Sequence, residues 1–195
     1  MTTPKRLPAF EKFIQDVRAA WGKVSDTESR MKKTAELLEG LVTNPTLREH
    51  SKSWPSTEGH KNLLLYEDPD YRFAINGVVR EPGRKGGIHD HAHAWTAYGV
   101  LDGTEKLERY RRLDKGGKEG YAELELESVS EGVPGKVDLV PPYAIHAEQG
   151  GPRRSVAVIV RSERLVGRAL QGRYDPVKRE FTQGQGPTQV PFEIS

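Results

Sequence analysis

Between Gly86 and Gly103 the chain reads GGIHDHAHAWTAYGVLDG, with histidines at 89, 91 and 93. Side chains on a strand alternate between faces, so His89 and His91 share one face, and His93 joins them if the strand continues unbroken. Two imidazoles spaced in this way can grip one divalent cation, and the stretch reads as a metal site. A third ligand must come from elsewhere. The best candidate is His146 in VPPYAIHAEQGG, a short apolar segment closed by Gly-Gly some fifty residues later. Pairing these two segments is the central demand on the fold.

After residue 60 the chain breaks into short apolar or alternating runs separated by glycine and proline turns, the pattern of an all-β sandwich or barrel. Strands are predicted at Asn62–Tyr66, Tyr71–Arg80, His89–His91, Ala94–Leu101, Glu105–Leu113, Tyr121–Val129, Val137–Val140, Ala144–Glu148 and Ser155–Ser162. In Tyr121–Val129 the residues Ala122, Leu124 and Leu126 alternate with glutamates, which predicts one buried face. Ser155–Ser162 is apolar on both faces and should lie centrally. From Gly172 the chain is rich in Gly, Gln and Pro, and it is expected to wrap the surface loosely, with one more strand near Val177–Phe181.

The first third reads as helical. Phe10, Phe13, Ile14, Val17, Trp21 and Val24 recur at three- and four-residue steps, the mark of a helix burying one stripe. A second helix should begin at a capping box, Ser25-Asp26-Thr27-Glu28, and Asn44-Pro45 should open a short third one. The expected organisation is therefore a helical extension over residues 1–58, packed on a β-barrel over 59–195 that ends in the wrapping tail.

Charge and composition bound the partners. With 30 basic and 28 acidic residues scattered along 195, there is no extended basic face for a phosphate backbone, so no nucleic acid is expected. The absence of cysteine leaves nitrogen and oxygen as the metal donors. No long apolar run or signal-like start is evident, which reads as a cytoplasmic protein with no membrane association. A homodimer through an exposed sheet edge or through the helical face stays open.

The run of glycine, His-Asp-His, strand and Gly103 resembles the first cupin motif, and LVPPYAIHAEQG resembles the second. This implies a cupin double-stranded β-helix, a jelly-roll barrel, carrying the N-terminal helices. More narrowly, HKNLLLYEDPDYRFAINGVVREPGRKGGIHDHAHAWTAYGVLDGTEKLERY resembles the cysteine dioxygenase type I family and its 3-mercaptopropionate dioxygenase relatives, with a likeness extending over most of residues 8 to 165. The resemblance implies Fe(II) held by His89, His91 and His146, and O2-dependent oxidation of a small thiol to a sulfinic acid. The chain departs from the family in several places. The glutamate ligand of many metal cupins is replaced by Trp95 and Thr96, and Thr96 also stands where some relatives carry a crosslinked cysteine. The family's Ser-x-His-x-Tyr run falls on Ala157, Ile159 and Arg161. An anchoring arginine on the first strand is replaced by His60 and Lys61.

Arg161 projects from the position of the missing tyrosine, and its guanidinium can bind a carboxylate bidentately. Arg161 or Lys61 is thus expected to anchor an anionic substrate, while Tyr98, Trp95 and His93 shape the pocket or move protons. His93 remains open between ligand, acid/base and mouth residue. Asp90, out of phase with the ligands, should support them structurally. Nitrogen donors suit Fe(II), Zn, Ni or Cu, and affinity alone does not choose among them. The first expectation is an Fe(II) dioxygenase acting on a small thiol carboxylate with O2. The alternatives are an oxygenase cleaving a diketone or a hydroxyaromatic acid, a Zn or Ni cupin isomerase or lyase, and a non-catalytic metal-binding sensor.

Overall fold

The computed structural model describes residues 6–167 and 169–195. Three helices come first: α1 (Pro8–Trp21), α2 (Thr27–Leu41) and α3 (Pro45–Ser51). Pro8 opens α1, where its missing N–H costs nothing. The cap of α2 lies one residue beyond the expected Ser25: the Asp26 side chain accepts from Ser29 N at 2.8 Å. Asn44 caps α3 in the same way through Leu47 N. Among the described residues no helix is long and apolar enough to cross a membrane.

Twelve strands follow among the described residues: β1 (Lys61–Glu67), β2 (Ala74–Arg80), β3 (Ile88–His89), β4 (Thr96–Asp102), β5 (Glu105–Arg112), β6 (Leu124–Gly132), β7 (Val137–Val140), β8 (Ile145–Gly150), β9 (Ser155–Arg161), β10 (Gln171–Asp175), β11 (Glu180–Gly184) and β12 (Thr188–Pro191). They form two six-stranded sheets, ordered β12-β1-β2-β9-β4-β7 and β11-β10-β3-β8-β5-β6. Stripped of its outer strands, this is four strands (β2-β9-β4-β7) against four (β3-β8-β5-β6), with consecutive strands crossing between sheets except at the β5–β6 hairpin. That order is the jelly roll of a cupin double-stranded β-helix. As expected from its double apolar pattern, β9 is central, buried at all seven residues between β2 and β4.

Alternation along the first sheet sorts side chains into two worlds. Ile75 and Val79 of β2, Ala97 and Leu101 of β4, and Val156, Val158 and Val160 of β9 face outward, where they join Phe10, Phe13, Val17, Trp21, Leu38 and Leu47 of the helices in one large core. Facing the barrel interior, Val78, Tyr98, Val100, Leu107, Ala157 and Ile159 make a much smaller cluster. Two glycines let the helical layer approach. A Cβ on Gly99 would lie 2.9 Å from Val42 Cγ1, and one on Gly77 would lie 2.8 Å from the Trp54 ring. Most hydrophobic stabilisation therefore sits outside the barrel, between sheet and helices, and the interior is left free to hold polar groups.

Four expectations need correction. The C-terminal segment is not a loose wrap: β10 pairs with β3, β11 with β10, and β12 runs parallel to β1. The single strand expected near Val177–Phe181 is instead the turn between β10 and β11 and the start of β11. On β6, Leu126 is 50% and Val129 49% exposed, because this edge strand pairs only with β5 and no layer covers it. The strand carrying the first histidines is also shorter than predicted, ending at His89.

Candidate metal centre

His89 on β3 and His146 on β8 are directly opposed across an antiparallel pair. His91 reaches them from a turn rather than from the same strand face. The turn exists because Asp90 bends the chain back: its Oδ1 accepts from Ala92 N at 2.8 Å and from Gly172 N at 3.0 Å. Its Oδ2 accepts from the Tyr174 hydroxyl at 2.7 Å. Ala92 is thereby held in the left-handed region at φ 49°. Asp90 does support the ligand cluster, but by fixing backbone to β10 rather than by contacting an imidazole.

The three rings form a tight triangle, with centroids 4.4 to 5.0 Å apart and one ring nitrogen of each within 4.8 Å of the others. Each Nδ1 faces outward onto a partner: Gly87 O for His89 (2.9 Å), Thr96 Oγ1 for His91 (2.9 Å) and Ala144 O for His146 (2.8 Å). A carbonyl oxygen only accepts, so His89 and His146 carry their protons on Nδ1 and present Nε2 lone pairs inward. The Nε2 atoms of His89 and His91 are 3.1 Å apart. His146 Nε2 is buried with no hydrogen-bond partner among the described residues. Converging lone pairs around an orphaned buried nitrogen are what a divalent cation satisfies, so the residues present fit a metal.

Electrostatics agree. Burial depresses His91 well below the ordinary imidazole value and His89 to about 4, with the neighbouring His146 adding to the effect in both. Both rings are therefore neutral, the form that ligates. Beside them stands Glu148, 6% exposed, its Oε1 3.4 Å from His146 Nε2. Burial would raise this carboxyl, but the paired Arg80 guanidinium, joined by His146 and His89 whenever those rings take up a proton, outweighs it and holds Glu148 well below the usual range. Glu148 thus adds one negative charge to an otherwise neutral ligand cluster. Sequence reasoning looked for a glutamate only after His91. The signal lay in His146-Ala147-Glu148, where the i, i+2 spacing puts both side chains on one face of β8.

Behind Glu148 runs a buried polar network. Arg80 bonds Tyr98, Glu105 and Glu148, while Tyr98 and Ser155 both donate to Glu105. Burial pushes the Tyr98 phenol well above its ordinary value, so the hydroxyl keeps its proton and gives it to Glu105.

A cavity of about 250 Å³ opens beside the histidines, lined by His89, Glu148, Tyr98, Arg161 and Lys61 among others. Arg161 is 4% exposed and comes from the inner face of β9. Its Nη1 donates to Asn76 Oδ1 at 3.0 Å, and its buried Nε has no partner among the described residues. Burial pulls the guanidinium down to about 10, which still leaves it cationic at neutral pH. Tyr98, Arg161 and Lys61 are thus gathered around the cavity, Lys61 at its exposed rim. His93 and Trp95 are not brought to it. His93 lies toward solvent, paired with Glu163 at 2.8 Å, and Trp95 packs against the outer core.

No protein-family model matches the chain, and no curated protein matches it. Among solved structures, a Klebsiella pneumoniae protein with a double-stranded β-helix domain is similar at 14% identity and a TM-score of 0.42, covering 70% of this chain and 88% of that one. Oxalate oxidase in complex with glycolate is similar at 21% identity and a TM-score of 0.42, over 57% of this chain and 54% of that one. The Schizosaccharomyces pombe Cnp3 cupin domain is similar at 12% identity and a TM-score of 0.40, over 51% and 58%. These likenesses concern fold only, and the double-stranded β-helix stands on the strand order β2-β9-β4-β7 over β3-β8-β5-β6.

Proposed function

We propose that the protein is a mononuclear non-haem Fe(II) dioxygenase, a cytoplasmic enzyme that oxidises a small thiol carboxylate with O2. The observation that carries this reading is a three-histidine cluster whose His89 lines a cavity in which a buried arginine has no carboxylate partner among the described residues. His89, His91 and His146 would hold the metal through Nε2. Bound Fe(II) would supply the redox chemistry that lets O2 react with a substrate whose electrons are all paired.

The remaining work falls to this chain's own side chains. Gly87 O, Thr96 Oγ1 and Ala144 O fix ring orientation and tautomer, so the ligand atoms are in place before a cation arrives. Arg161 orients the substrate by its carboxylate, and the rigid strand β9 sets where that group can lie. Arg80 holds Glu148 from behind, and the Tyr98–Glu105–Ser155 network holds Arg80. The overall reaction balances without a further reductant: R–SH + O2 gives R–SO2H, with both oxygen atoms ending on a sulfur that loses four electrons. The cationic cavity favours an anionic substrate over a neutral diketone.

The test is oxygen uptake by protein reconstituted anaerobically with Fe(II), offered cysteine, 3-mercaptopropionate, mercaptosuccinate, a diketone and a hydroxybenzoate. Thiol-dependent uptake that forms sulfinate, with loss of both iron and uptake in His146→Ala, is the expected result. Uptake with a carbon substrate alone, or iron bound without uptake on any of them, overturns the thiol assignment.

A further inference from the structure

The cavity beside the metal cluster carries far more positive charge than one carboxylate requires. Its lining includes five permanently cationic side chains, Lys61, Arg80, Arg84, Arg161 and Arg173, against one carboxylate, Glu148. Among the described residues only Arg80 of these five is ion-paired, and its partners are Glu105 and Glu148. Glu148 is thus already engaged, which leaves four cations facing a small space without an anion. They are arranged by depth. Arg161 is buried on the inner face of β9, where its Nη1 bonds the neutral amides of Asn76 and Asn62 and the one carboxylate acting on it is Glu148, already paired with Arg80. Arg84 is half-buried in the loop before β3, and Lys61 and Arg173 are exposed at the rim. Keeping like charges together without compensation is unfavourable, least so at the rim and most so at buried Arg161.

We propose that the site takes a small dianion, a substrate bearing two acidic groups. One sits at Arg161 beside the metal cluster, and the second at the mouth formed by Arg84 with Lys61 and Arg173. This rests on reading the cluster and cavity as a metal-dependent substrate site, but not on the substrate being a thiol. A single carboxylate at Arg161 leaves the mouth cations uncompensated. A second acidic group satisfies them while the deeper group keeps its place, so the mouth selects between homologous mono- and diacids.

Binding can be measured apart from turnover by calorimetry on Zn(II)-loaded protein, with succinate against propionate and mercaptosuccinate against 3-mercaptopropionate. The diacid of each pair should bind at least about tenfold more tightly, a difference of about 1.4 kcal/mol. In Arg84→Gln that advantage should shrink to less than about threefold while propionate affinity holds, and in Arg161→Gln both members of each pair should weaken. Arg84 is only half-buried, so its replacement should leave the fold intact, and unchanged circular dichroism checks this. Equal affinity for mono- and diacids, no binding of either diacid at millimolar concentration, or a preference that survives in Arg84→Gln overturns the proposal. The diacid preference without thiol-dependent oxygen uptake would sink the thiol assignment and leave this inference standing. Sulfinate formation from 3-mercaptopropionate at the same kcat/KM as from mercaptosuccinate would do the reverse.

Discussion

A single hydroxyl orients the second ligand histidine. His91 sits in a turn, so no strand backbone fixes its ring, and its Nδ1 rests on Thr96 Oγ1 at the start of β4. Thr96 is fully buried, so water cannot take over when the hydroxyl is lost. Thr96→Val keeps the shape and removes the partner. Metal affinity, read by competition with a chromogenic chelator, should fall about ten- to a hundred-fold. Stability of the metal-free protein should fall by about 1–3 kcal/mol, the cost of a stranded buried polar group. A variant with unchanged affinity would mean that the ring is fixed by packing alone. The position where a glutamate ligand was sought in the sequence would therefore serve a bound metal at one remove, and the nearest carboxylate comes from Glu148 instead.

At the scale of elements, the C-terminal strands complete the site. β3 is only two residues long, and β10 pairs with it at Ile88 and His89 while Gly172 O accepts from Asp90 N at 3.1 Å. A Cβ on Gly172 would stand 2.2 Å from Asp90 Oδ2. Gly172→Ala should therefore push Asp90 off its contacts, release the turn that carries His91, and lower both the thermal midpoint and metal affinity. The overpacking cost should be about 1–3 kcal/mol. Gly184→Ala in the neighbouring β11 is the control, since its added methyl meets only the far end of Arg173, 3.5 Å away, and should change little. Equal effects from the two substitutions would deny Gly172 its particular role.

This contribution of β10 was hard to read from the sequence for a physical reason. QGRYD has neither strong alternation nor an apolar run, and its strand character comes from the partner edge that β3 offers. The same limit explains β6, where the alternation of ELELES promised a buried face but the edge position left Leu126 in solvent. What local pattern governs was legible: the helical stripe of Phe10, Phe13, Val17 and Trp21, the central β9, and the convergence of His89, His91 and His146. What depends on tertiary pairing was not, including the turn at Asp90, the approach of Glu148 and the outward placement of His93 and Trp95.

For the molecule as a whole, separating the apolar core from the polar barrel sets how stability responds to acid. Interior groups are desolvated by the same sheets that the helices stabilise from outside. His89 and His91 are neutral in the folded metal-free protein because burial depresses them, His89 to about 4 and His91 further in the same direction. In the unfolded chain both titrate near about 6.5. Between that value and about 4 the unfolded chain takes up protons that the folded one refuses, so linkage makes unfolding easier as pH falls. The stability of the metal-free protein should be level above about pH 7 and decline steadily from pH 6.5 towards 4. Below the ordinary carboxyl range Glu148, held ionised by Arg80 and by the imidazoles that have by then taken up protons, extends the same trend. A bound cation adds to stability through its affinity for the folded form, and because His89 and His91 stay unprotonated there down to about pH 4, saturating Zn(II) should raise the denaturant midpoint by a similar amount from pH 7 to 5. Denaturant unfolding at half-unit pH steps, with and without Zn(II), reads both effects. A metal-free midpoint that stays flat from pH 7 to 5 would show that the buried imidazoles take up protons as readily in the fold as in the unfolded chain, and would remove the electrostatic argument for a metal at this site.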